Sequence, residues 1–280
     1  MQNLLKSDFY KLFKMKSFYV CAIIAAVMAA ISMFLDSQLN NMMQSMTDTV
    51  SSAMMSTQII TLKNILPTII SPTGDYFILV IIGVCLFITI EYNAGTLKNI
   101  AARGFKREYI FLSKIIVCIV EAFIITLCFA VSCVIFGLIF LGTPAGGFGD
   151  GYFTELFTIY GVDILILIGY VSFIAMVAYL IRTNGGTIAI TLCAHYLVPV
   201  IITMFNVVTI MNDTSDLEKM MSYTSNQYGQ AAYYWIGTLG GAVSESYHNG
   251  TIYIPILVAL AYIVVSCAIG MLVFKKRDIK

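Results

Sequence analysis

Glu121 sits well inside an apolar run, about two helical turns after Lys114. A carboxyl at bilayer depth is costly, so it is a functional candidate by default. Three roles are open to it: pairing with Lys114 near the inner surface, lining a polar cavity that passes protons or substrate, or holding a helix–helix contact. His195 lies in another apolar run, four residues before Pro199, and reads as a packing residue or a ligand. Asp163 stands early in its run, where water can reach it. Tyr228, Tyr233, Tyr234 and Trp235 precede the last apolar run. Tyr and Trp favour the headgroup level of a bilayer, so they form either an interfacial belt or an outer gate for a greasy substrate. Other chemistry has no foothold. The seven cysteines all fall in apolar runs, and no H-E-x-x-H, G-x-S-x-G or G-x-x-x-x-G-K-[ST] string occurs. No catalytic residue and no metal site is expected.

The elements that must position these residues follow from composition. The chain is 59% hydrophobic and 11% charged, whereas soluble domains carry about 25% charged residues. Several runs approach the ~20 apolar residues that cross a bilayer as a helix. The expected fold is an all-α membrane protein forming one transmembrane domain over 1–280. It has an N-terminal amphipathic interfacial helix at 3–16 and six spans at about 18–35, 74–90, 109–141, 156–181, 187–210 and 252–274. The leading segment places Leu5, Phe9, Leu12 and Phe13 at helical spacing with lysines elsewhere on the wheel, a pattern suited to the membrane interface. It competes with a signal-peptide reading; a retained first helix is favoured because the run after it is long enough to span. The loops 36–73 and 211–251 face outward, the latter reading as short helices dipping into the outer leaflet. Pro199 predicts a kink.

Charge sets the orientation. With the N-terminus inside and six crossings, fourteen of the sixteen Lys and Arg are cytoplasmic, all but Lys63 and Lys219. A cytoplasmic excess of Lys and Arg orients membrane proteins. Both termini are therefore expected inside, in a multi-pass protein of a bacterial plasma membrane.

That topology leaves EYNAGTLKNIAARGFKREYIFLSK, residues 91–114, as the one sizeable cytoplasmic loop. Leu97, Ile100, Ala101 and Phe105 recur at helical spacing among Lys98, Asn99, Arg103, Lys106 and Arg107. Periodicity alone leaves two readings open: an amphipathic helix for a partner's groove, or a basic loop that sets topology and touches anionic lipid.

Here the residues resemble a family. EYNAGTLKNI, then GFKREYI, then the Ser-Lys at 113–114 looks like the segment after the second span of ABC-2-type permeases. The resemblance covers the whole plan of the chain and rests most on Glu91, Gly95, Thr96, Lys98, Gly104 and Arg107. It implies a coupling helix at about 91–107, including Asn99, that docks on a separate ATP-binding subunit. It also implies two permease subunits, identical or homologous, and two ATPase copies that hold the ATP and Mg; this chain would bind no cofactor. Within the family the chain looks most like small Gram-positive permeases that export amphipathic peptides (phenol-soluble modulins) or give lantibiotic immunity. The expected function is then export of an amphipathic or hydrophobic substrate, with peptide favoured and nucleic acid excluded. Two other classes compete: a peptide-immunity or sensing module that moves nothing, and a proton-coupled transporter working through Glu121.

Overall fold

The computed structural model describes residues 2–47, 61–96, 100, 106–142, 147, 149, 151–213 and 231–276. All regular structure among them is helical. The longer helices are α1 (Gln2–Lys14), α2 (Lys16–Thr47), α4 (Phe77–Asn93), α5 (Arg107–Phe140), α6 (Tyr152–Ile181), α7 (Asn184–Asp213) and α10 (Tyr253–Lys276). Short helices α3 (Leu62–Ile65), α8 (Ile236–Leu239) and α9 (Val243–His248) fill the connections. Five segments, in α2, α5, α6, α7 and α10, are long and apolar enough to cross a membrane. This is a multi-pass membrane protein. The sixth apolar helix, α4, has 17 residues and reaches about 26 Å, against roughly 30 Å of hydrocarbon.

Successive apolar helices alternate in direction. The start of α5 meets both α1 (Lys114 with Asp8) and the end of α10 (Glu108 with Lys275), so the two described chain ends lie together. This is called the near end. At the far end Phe34 of α2 stacks edge-on against Phe140 of α5, and the Tyr152 hydroxyl of α6 donates to the Lys63 carbonyl. Helix α6 is the central element: 61% of its most apolar window is buried, against 28% or less in the other four. Gly169 permits its close approach to α10, since a Cβ there would stand 3.2 Å from the Ala259 carbonyl oxygen. Close backbone contact of this kind matters in lipid, where burying apolar surface does little to drive helices together. The exposed faces of α2, α5, α7 and α10 carry large apolar side chains such as Ile23, Val131, Tyr196 and Val264.

Several expected boundaries move. The helix of the first expected span, α2, does not stop at 35 but runs on through Thr47. Its last third is polar yet holds neither Gly nor Pro and is rich in Met and Gln, which are good helix formers. Hydropathy falls there while helicity persists. The segment expected as one outer loop, 36–73, thus contains the end of α2, then α3 and a 3-10 turn, Leu66–Thr68; residues 48–60 lie outside the described set. The link between α6 and α7 is tighter than the expected 182–186. Arg182 closes α6 in a left-handed conformation (φ 63) and donates its N–H to the Ala178 carbonyl, and α7 starts at Asn184. That conformation costs a non-glycine residue roughly 1–2 kcal/mol, and Arg182 also lies over the Tyr92 ring at 5.2 Å. Helix α7 continues through Pro199. In the segment before α10, Ala231–Tyr234, α8, Gly240–Ala242 and α9 form a chain of short turns.

Candidate functional site

The near end is organised by buried charge. Leu4, Asp8 and Leu12 recur at four-residue spacing on α1, and all three are buried against the bundle. That register pushes a carboxylate into the interior. Lys114 meets it: its Nζ lies 2.6 Å from Asp8 Oδ1 and 2.6 Å from Glu91 Oε1, and Ser113 donates to Asp8 Oδ2 at 2.7 Å. Lys11 closes the network from the rim, 3.1 Å from Glu91 Oε1 and 3.7 Å from Asp8 Oδ1. Two acids and two bases balance, which is the condition under which buried charge is tolerable. The Lys114 ammonium also lies over the Phe87 ring at 5.1 Å, an arrangement that attracts a cation. One cluster therefore joins α1, the last turn of α4 and the first turns of α5.

Neighbouring contacts bind the remaining helices at this end. Arg107 donates to the Lys275 carbonyl at 2.8 Å, Lys275 pairs with Glu108, and Asn93 donates to Asn184 at 2.7 Å. Between α4 and α5 the chain turns at Ala94–Gly95. Gly95 sits at φ 66, and Thr96 Oγ1 donates back to the Glu91 carbonyl at 3.3 Å. A β-carbon is disfavoured in that conformation, so glycine suits the turn.

The residues expected to meet a partner are thus divided. Glu91 is not part of a separate surface helix; it belongs to α4 and is buried in the ion network. The helix expected over 91–107 cannot begin there, because α4 ends at the turn before Thr96. Thr96 and Ile100 are helical. Lys98, Asn99 and Gly104 lie outside the described residues, and Arg107 opens α5. Asp8 escaped the sequence reading. Its signal was present, an acid spaced four residues from leucines on both sides in a helix otherwise read as basic.

The intramembrane candidates have a different character. Glu121 and Lys114 do not pair, since Lys114 is engaged by Asp8 and Glu91. Glu121 is fully buried, and neither carboxyl oxygen has a hydrogen-bond partner among the described residues. It faces Gly83 of α4: a Cβ built there would lie 2.8 Å from Glu121 Oε1. Asp163 was expected where water reaches it; it is instead fully buried, and its carboxyl oxygens also lack partners among the described residues. His195 is held by packing and one hydrogen bond. Its Nδ1 lies 2.6 Å from the Tyr170 hydroxyl, and the Tyr170 ring stacks on Phe77 at 4.7 Å.

The expected outer aromatics separate. Tyr233 is buried with its hydroxyl 2.8 Å from Ser246 Oγ, and Tyr234 is exposed. Trp235 contacts Phe173 and Tyr262 edge-on. Tyr228 lies outside the described residues. Trp235 and His195 converge on Gly237, where a Cβ would stand 2.6 Å from the indole nitrogen and 3.2 Å from Nδ1. No group of three His, Cys, Asp or Glu side chains able to hold a metal ion occurs among the described residues.

Comparison with curated proteins returns no match. A family does match, described as "Protein of unknown function (DUF2705)" and covering residues 19–280, so it takes in nearly all of α2 and every later helix. The chain is a member of the DUF2705 family.

Proposed function

We propose that this chain is the permease subunit of an ATP-binding cassette exporter of the ABC-2 type, moving an amphipathic or hydrophobic substrate outward. In this reading α4 is the sixth crossing, and the near end, with both termini, faces the cytoplasm of a bacterial cell. The alternating direction of the six apolar helices favours an even number of crossings. ATP and Mg belong to a separate subunit present in two copies, and a second permease, identical or homologous, completes the assembly.

One observation carries the reading: both ends of the 94–106 segment are rooted in the buried Lys114 cluster. A push delivered to that segment by a partner passes at once to α4, α5 and α1, because breaking any arm of the cluster strands a buried charge. Glu91 and Arg107 then act within the permease as positioning residues. The docking face is left to Thr96, Lys98, Asn99 and the residues up to Gly104.

The test is affinity purification of the tagged full chain from its native membrane in mild detergent, with mass spectrometry of co-eluting proteins. The same is done with Gly95, Thr96 and Lys98 substituted. A stoichiometric ATP-binding subunit, lost on substitution while the chain stays folded, is the expected result. Absence of any such subunit from both folded preparations overturns the proposal.

A second reading, proton-driven transport through Glu121, is favoured by the buried carboxyl that lacks a partner among the described residues. It requires transport without an ATPase and loss of transport in Glu121→Gln.

A further inference from the structure

A groove of about 630 Å³ opens at the far end between α2, α5 and the 65–76 segment. Most of its wall is apolar, with Met28, Ile31, Ile69 and Phe129 among the contributors. The Tyr76 ring stacks on Phe129 at 4.3 Å, and its hydroxyl is held by the Ile70 and Ser71 carbonyls at 2.9 and 3.2 Å. The aromatic floor is therefore fixed before anything binds. Two carboxylates, Asp36 and Asp75, stand in this apolar setting, and among the described residues no Lys, Arg or His lines the groove. Neither carboxylate is hydrogen-bonded or ion-paired among the described residues, although His195 lies within electrostatic reach of Asp75. Asp36 is half-buried and Asp75 exposed.

We propose that this groove binds a small amphiphile with a cationic head and an apolar body. The charge complement is the argument for that occupant. At the near end each carboxylate of the buried cluster meets a lysine, whereas here two carboxylates beside an aromatic floor meet none among the described residues. Carboxylates attract ammonium groups, and the half-buried Phe129 ring, backed by the fully buried Tyr76, offers apolar surface to the body of the molecule. The volume suits a drug-sized or single-chain molecule, not a folded peptide helix, whose diameter alone is about 10–12 Å. The inference rests on the permease reading only in calling this occupant a substrate; binding itself requires no ATPase.

The experiment uses the full chain in nanodiscs of phosphatidylcholine and two photoreactive probes with the same dodecyl tail, one ending in trimethylammonium and one in a neutral hydroxyl. Labelled peptides are mapped by mass spectrometry in the unaltered protein and in Asp36→Asn/Asp75→Asn. The cationic probe is expected to label 28–36 and 65–76 saturably, with half-saturation rising about tenfold in the double variant. The neutral probe should label both proteins alike, which also reports that the groove is intact. Equal labelling by both probes overturns the proposal, as does cationic labelling indifferent to the substitutions. If the double substitution separates a dimer without changing labelling, the groove belongs to a second copy and the proposal falls. Because only this chain is present, these outcomes are independent of whether an ATP-binding subunit co-purifies.

Discussion

At the near end Asp8, Glu91, Lys11 and Lys114 neutralise one another within a few ångströms, while about two turns further along α5 Glu121 is buried with no partner among the described residues. Both sets of carboxylates are removed from water, yet the chain spends two lysines on one and none on the other. The difference separates two uses of buried charge. A closed network fixes the relative placement of three helices, and its members are bound to one another. A lone carboxyl fixes nothing, and what it does next depends on what reaches it.

The largest expected effect tests the first half of that contrast. Lys114→Met leaves Asp8 and Glu91 buried with only the half-exposed Lys11 nearby, and should lower unfolding free energy by about 3–5 kcal/mol. Adding Asp8→Leu should recover part of the loss, because an apolar replacement removes a charge left without a partner. Thermal unfolding in detergent, followed by size-exclusion chromatography, measures both. A single variant as stable as the parent protein would mean that the network holds nothing together.

A smaller effect is expected at the second site. Gly83→Ala sets a methyl 2.8 Å from Glu121 Oε1, the far end of a flexible side chain, and should cost about 1 kcal/mol, the low end for overpacking, because the helix gains from losing a glycine. The cost should shrink in the double variant Gly83→Ala/Glu121→Ala, which removes the obstructing carboxyl. Independent, additive losses in that cycle would show that the two residues do not touch.

The smallest effect sharpens the comparison most. Glu121→Gln keeps the shape and breaks no hydrogen bond among the described residues, so stability should change by less than about 1 kcal/mol. A loss as large as that of Lys114→Met would place Glu121 in a network of its own and abolish the distinction. An unchanged fold with lost transport would make the carboxyl functional.

Much of this architecture was legible in the residues. Each of the six apolar runs is a helix, and the leading segment is a separate amphipathic one, because hydropathy and periodicity are local sums over about 20 residues. Ends were less legible. Helix α2 overran its expected limit because helix propensity outlasts hydrophobicity in a Met- and Gln-rich stretch, and Glu91 was absorbed by α4 because the Gly95 turn, not the apolar boundary, stops that helix. Asp163 looked accessible from its position near a helix end, but the helix containing it is central to the bundle.

The sequence by itself determined that this is a helical membrane protein, which segments are apolar, and that positive charge gathers around residues 91–114 and the two ends. The tertiary structure alone decided which charges meet. Lys114 joins Asp8 across 106 positions and Glu91 across 23, while Glu121, on its own helix, is left to Gly83. The physical reason is that insertion into a bilayer depends on the summed hydropathy of a segment, whereas pairing depends on how each helix is rotated against its neighbours. A rotation of one residue, about 100° on a helix, would carry Asp8 from the buried cluster to the surface without altering the composition of α1.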